Sequence, residues 1–128
     1  MNPLVEGKTY PSVAFVVERE RVIEFGRVFG QTERIPPTFL TAAEFSAFPR
    51  VVSDPELGLD FMRVVHGSQE YELRRPIVLG ETLEVTARIA SIRRRGGIGF
   101  LVIETEMLGG DGAIAAVARS TMIEREPD

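Results

Sequence analysis

Val65-His66-Gly67-Ser68-Gln69-Glu70-Tyr71-Glu72-Leu73-Arg74-Arg75-Pro76-Ile77-Val78-Leu79-Gly80-Glu81-Thr82-Leu83 joins two segments of strand character and contains the only histidine of the chain. Its first part belongs to a strand read from Phe61 to Leu73. Its last residues open the clearest strand, Thr82 to Arg93, in which Leu83, Val85, Ala87 and Ile89 alternate with Thr82, Glu84, Thr86 and Arg88. Gly96-Gly97 turns that strand into another, from Ile98 to Leu108, and Gly109-Gly110-Asp111-Gly112 turns again into a last one, from Ala113 to Glu124. These spacings suit antiparallel hairpins.

Working back from this stretch, Ser53-Asp54-Pro55-Glu56-Leu57-Gly58 is a loop of turn formers. Before it, Phe39 to Phe48 is apolar on nearly every side, which predicts a helix wrapped by other structure, with Thr38 as its N-cap and Pro49 as its stop. Burying its phenylalanines contributes roughly 1.5–3 kcal/mol each. Pro36-Pro37 bars helix in the residue before each proline. Farther upstream, Val22, Phe25 and Phe29 mark an amphipathic helix ending near Gly30, and Tyr10 to Val17 reads as a short first strand.

A chain of 128 residues that is 44% hydrophobic has the size and apolar content of one domain, residues 1–128, with a core that needs no staple. The absence of cysteine excludes disulfides, a thiolate nucleophile and zinc sites built on sulfur. A net charge of −4 argues against nucleic acid as a partner. The N-terminal residues lack a secretory pattern, and no segment approaches the about 18 apolar residues of a membrane span, so a soluble cytoplasmic protein is expected. Arg93-Arg94-Arg95 has the guanidinium chemistry for phosphate or carboxylate, although a solvated hairpin end beside Gly96-Gly97 is the plainer reading.

One short strand, helical segments and then long antiparallel strands with an apolar helix to wrap is the order expected of a HotDog fold, in class α+β. Ile35-Pro36-Pro37-Thr38-Phe39, His66-Gly67-Ser68-Gln69-Glu70-Tyr71-Glu72 and Arg75-Pro76-Ile77-Val78-Leu79-Gly80-Glu81-Thr82-Leu83 carry a resemblance to the N-terminal-type domain of MaoC-like dehydratases, from about Tyr10 to Ile123. The resemblance implies two HotDog units joined edge to edge. It also implies hydration of an enoyl thioester, or dehydration of a 3-hydroxyacyl thioester, carried on coenzyme A or acyl carrier protein, with no other cofactor. That chemistry needs a base, an acid and a donor for the thioester oxygen. Family members that perform it carry an Asp, and a His a few positions on, in a loop after the first helix. Here only Gln31, Thr32, Glu33, Arg34 and Ile35 separate Gly30 from Pro36. The resemblance therefore implies an auxiliary unit with no catalytic residue of its own, completing the channel of a motif-bearing HotDog subunit. Whether the chain pairs with that subunit or with itself stays open.

Two residues offer alternatives. Histidine is the residue type suited to proton transfer in neutral solution, but His66 stands alone on a predicted strand, where a hydrogen-bonded interface role is the favoured reading. Glu44 is the one acid on the apolar helix, and burial would raise its pKa into a general base's range, as a HotDog thioesterase would use it. Against this stands a structural carboxylate bonded to an amide or an arginine. Phe39, Phe45 and Phe48 are candidates to line an acyl channel, with plain core as the alternative, and Arg74 and Arg75 are candidates to hold the phosphates of coenzyme A. A non-enzymatic acyl-CoA-binding module is the remaining reading.

Overall fold

Alternation along three long segments builds the sheet. In the computed structural model, which describes residues 1–28 and 35–127, these are β3 (Thr82–Arg95), β4 (Ile98–Leu108) and β5 (Ile114–Arg125), joined as consecutive antiparallel hairpins. Gly96 and Gly97, both with φ near +60 to +76°, make the first turn in a backbone region that side-chain-bearing residues avoid. β1 (Val13–Val16) pairs with β3 and β2 (Val64–Leu73) with β5, giving the antiparallel order β1-β3-β4-β5-β2. Register shifts between His66 and Ser68, Ile89 and Ser91, and Met107 and Leu108 are bulges that bend the strands and curve the sheet.

The concave face holds the core. Leu83, Val85, Ala87 and Ile89 from β3, with Leu101, Ile103 and Met107 from β4, are fully buried there against Leu40 and Ala43. Leu40 and Ala43 belong to α2 (Leu40–Ser46), which packs on β1, β3 and β4. α1 (Arg19–Val28) lays Val22 inward, and its Phe25 meets Phe39 edge-on at 5.6 Å. The predicted C-terminal residues of that helix, Phe29 and Gly30, and the link residues Gln31 to Arg34 lie outside the described residues.

The helix read from Phe39 to Phe48 is corrected in three respects. Thr38 sits inside a 3-10 turn, Pro37–Phe39, and the cap position of α2 falls to Phe39, which makes no side-chain cap bond. Pro49 does not stop the helix but lies in the first turn of a second one, α3 (Phe48–Val52), where its missing N–H costs nothing. Phe45, expected inside, is 43% exposed. The strand expected from Phe61 begins instead at Val64, because Asp60 caps a 3-10 turn over Phe61–Arg63 by accepting from the Met62 N–H at 3.1 Å.

The N-terminal segment covers one sheet edge. Gly7 N–H donates to Ile89 O, Ile89 N–H to Lys8 O and Tyr10 N–H to Ala87 O, extending β1's shielding of β3. Asp54 anchors the loop after α3 to that segment by accepting from Lys8 Nζ and the Tyr10 hydroxyl, each at 2.7 Å. The opposite edge, β2, is open. Among the described residues, no helix is long and apolar enough to cross a membrane.

Candidate functional site

The site forms where β2 meets α2, and one glycine decides which side chains reach it. Strict alternation would put His66 on the face opposite Gln69 and Tyr71. The bulge after His66 resets the phase, so all three turn toward the helix. Gly67 permits this by close approach: a Cβ there would stand 2.7 Å from Ile123 Cδ1.

Within the site, the His66 Nε2 hydrogen-bonds Ser120 Oγ of β5 at 2.9 Å, and its ring lies 6.4 Å from Phe45, edge to face. Phe45 in turn packs at 4.9 Å on Phe48, which is buried. Next to Phe45 on α2, Glu44 is wholly inaccessible. Gln69 Nε2 donates to Glu44 Oε2 at 2.8 Å and to Arg119 O at 3.2 Å, and the Tyr71 hydroxyl shares a hydrogen bond with Thr41 Oγ1. Burial pushes the Glu44 carboxyl up to about 7, against the opposing pull of the Gln69 and Tyr71 hydrogen bonds. The Tyr71 phenol is likewise raised, first by burial. Glu44 Oε1 and Gln69 Oε1 are buried without a hydrogen-bond partner. Gln69 Oε1 can only accept, whereas Glu44, with its carboxyl near 7, can accept or donate.

The residues singled out from sequence divide accordingly. Glu44, His66 and Phe45 come together along the inner face of β2, with Phe48 behind Phe45. Phe39 does not join them: it is 3% exposed and lies between Phe15 and Phe25 in the core. Arg75 is engaged elsewhere, its guanidinium forked on Glu81 at 2.7 and 3.0 Å, with Glu81 held below the usual carboxylate range chiefly by that arginine. Arg74 is exposed and pairs with Glu72 at 3.5 Å. Thr41, Gln69, Tyr71 and Ser120 escaped the sequence reading, because the bulge that unites them leaves no mark but a glycine in a strand.

Comparison with known proteins fits this architecture. The profile of the family described as "FAS1-like, dehydratase domain region" matches residues 31–117. A protein of Clavibacter michiganensis named only "UPF0336 protein" is 30% identical over 146 residues, covering 100% of this chain and 98% of its own length. Among solved structures, a "MaoC-like dehydratase" superposes with a TM-score of 0.85 at 19% identity over 97% of this chain. This chain spans 43% of the length of that one. The HadBC (3R-hydroxyacyl-ACP dehydratase) complex of Mycobacterium tuberculosis superposes with a TM-score of 0.75 at 22% identity, over 93% of this chain and 96% of the matched one. A curved antiparallel sheet around a short apolar helix, matched by a family profile over most of its length, thus makes this chain a HotDog protein belonging to the MaoC-like dehydratase family, in its FAS1-like dehydratase-region branch.

Proposed function

We propose that this chain is the supporting unit of a two-unit (R)-specific enoyl-thioester hydratase or 3-hydroxyacyl-thioester dehydratase, acting on acyl groups carried by coenzyme A or acyl carrier protein. One observation carries the reading. Between Val28, the last described residue of α1, and Pro36 stand only Phe29 to Ile35, and none of them is Asp or His. An acid and base for proton transfer must then come from a partner HotDog chain joined along β2. His66 is committed to Ser120 and Glu44 to Gln69, two separate hydrogen-bonded pairs. This chain's contribution would be shape: Phe45, half-exposed beside the open edge, supplies an apolar wall for the acyl chain.

The test is crotonyl-CoA hydration by the purified chain alone and by the chain co-expressed with a HotDog protein that carries the Asp and His. Turnover is expected only with the partner, and above the partner's own rate. Robust turnover by this chain alone would overturn the proposal.

A second reading is favoured by one specific feature, the buried Glu44 with a near-neutral pKa and one unpartnered oxygen. A homodimeric acyl-CoA thioesterase would use it as base or nucleophile. Thiol release from acyl-CoA that disappears in Glu44→Gln, with the fold intact, would establish that reading in place of the first.

A further inference from the structure

The convex face of the sheet, on the far side from α2, carries a feature that neither reading uses. Cross-strand partners share a face. The register therefore sets Arg95, Ile98 and Arg125 in one row across β3, β4 and β5, and Arg93, Phe100, Ile123 and Val65 in the next row across β3, β4, β5 and β2. Arg63 precedes β2 beside the first row and is paired with Asp60 at 3.1 Å. Among the described residues, Arg93, Arg95 and Arg125 make no ion pair, in a chain whose net charge is −4. Arg94, between them in sequence, points to the other face, donating to Met1 O at 2.8 Å and pairing with Glu126 at 3.2 Å. Three consecutive arginines thus part by strand alternation, and two of them stand on the same apolar strip.

Part of that strip borders a hollow. A cleft of about 860 Å³ runs between the β3–β4 turn and the start of β2, lined by Met62, Val65, Ile98 and Ile123, with Arg63 and Arg125 at its sides and Arg95 next to Ile98 outside the lining. Glu126 also lines it but is neutralised by Arg94. Met62 is 91% exposed and Val65 63% exposed, so the apolar floor is open to solvent. Its volume falls within the roughly 300–1,000 Å³ of small-molecule sites. Strands lie about 4.8 Å apart, which puts the Arg95 and Arg125 backbones roughly 10 Å apart across Ile98, within reach of a shared anion. Like charges in one row repel, and a dianion between them relieves the repulsion while guanidinium forks match its oxygens.

We infer that this cleft binds an amphiphile made of an aliphatic chain with a phosphate head, the chain laid over Ile123, Val65 and Met62 and the head at the Arg125 side, where Arg95 flanks the lining residue Ile98 from outside the cleft. The occupant is a single molecule in solution, because a cleft of about 860 Å³ has the size of a small-molecule site. The site is independent of the acyl-thioester reading and can stand if that reading fails.

Decyl phosphate, below its micelle concentration, is titrated into the full chain by calorimetry, with inorganic phosphate and decyltrimethylammonium as parallel arms. Saturable binding of decyl phosphate alone is expected, weakened about tenfold or more in R95Q/R125Q by loss of charge-assisted bonds. Met62→Ser, at a side chain too exposed to matter for folding, weakens it several-fold. Affinity unchanged in these variants would place the ligand elsewhere and overturn the inference. So would equal binding of the cationic amphiphile, no binding, or sedimentation with phosphatidate vesicles without binding of the monomer.

Discussion

Glu44 shows how one residue records the demands of its surroundings. It lies wholly out of water, with Gln69 and Tyr71 as its hydrogen-bonding neighbours, so its charged form is disfavoured and its carboxyl sits near 7 rather than at its ordinary 4.5. A folded-state pKa above the unfolded one means stability that is complete below pH 4.5 and is lost as pH rises toward 7, by about 3 kcal/mol at full ionisation. Denaturant unfolding between pH 4.5 and 8 should therefore show the wild type weakening with pH and Glu44→Gln holding level, since an amide has no proton to lose. Parallel curves for the two proteins would contradict this account of the site. Asp54 behaves in the opposite sense. Lys8, and after it Tyr10, hold its carboxyl at about 2, so its contribution is present above pH 4 and disappears as pH falls through 2. Asp54→Asn should lower the neutral-pH melting temperature by a few degrees and leave the acid side of the profile flatter, as a thermal scan at each pH would reveal.

At the scale of elements, strict alternation was legible and its interruptions were not. The β3 pattern from Leu83 to Ile89 assigned the buried face correctly, and the paired glycines after Arg95 marked the turn. The same period fails at His66, because a bulge adds one residue and no composition rule separates a bulge glycine from any other. Gln69 and Tyr71 were therefore passed over, although they complete the site around Glu44. Pro49 misled for a related reason: proline ends a helix or begins one, and only the kink at Ala47 decides which. Deleting Gly67 tests the bulge directly. Without Gly67, His66 and Ser68 become consecutive opposite the consecutive Met122 and Thr121, so both halves of β2 would keep their partners and faces, and the imidazole would stay beside Ser120 and Phe45. Proton NMR should show the ring contacts between His66 and Phe45 retained. Their disappearance would mean that Val64 to His66 slide along β5 instead of closing the ladder.

Across the whole molecule, the two sheet edges are treated differently, and the difference bears on assembly. The β3 side is shielded by β1 and by the backbone bonds of Gly7, Lys8 and Tyr10, whereas β2 leaves its outer N–H and C=O groups to solvent along Val64–Leu73. An open strand of that length invites pairing, and exposed Leu73, Val78 and Leu79 near its end add apolar area to bury. On the proposed assembly, a second HotDog sheet continues this one through β2 and brings its acid and base beside Phe45. Leu73→Asp is the change that separates assembly from folding. The side chain is 44% exposed, so the lone chain should melt as before, while a carboxylate in a dry interface has no partner and disfavours docking. Light scattering should find the wild type in a complex of about two HotDog units and the variant at the 14.2 kDa of a single chain, with co-expressed hydratase activity lost in proportion. If the variant instead stays assembled and active, the partner does not join at β2, and the catalytic groups must approach Phe45 by another route.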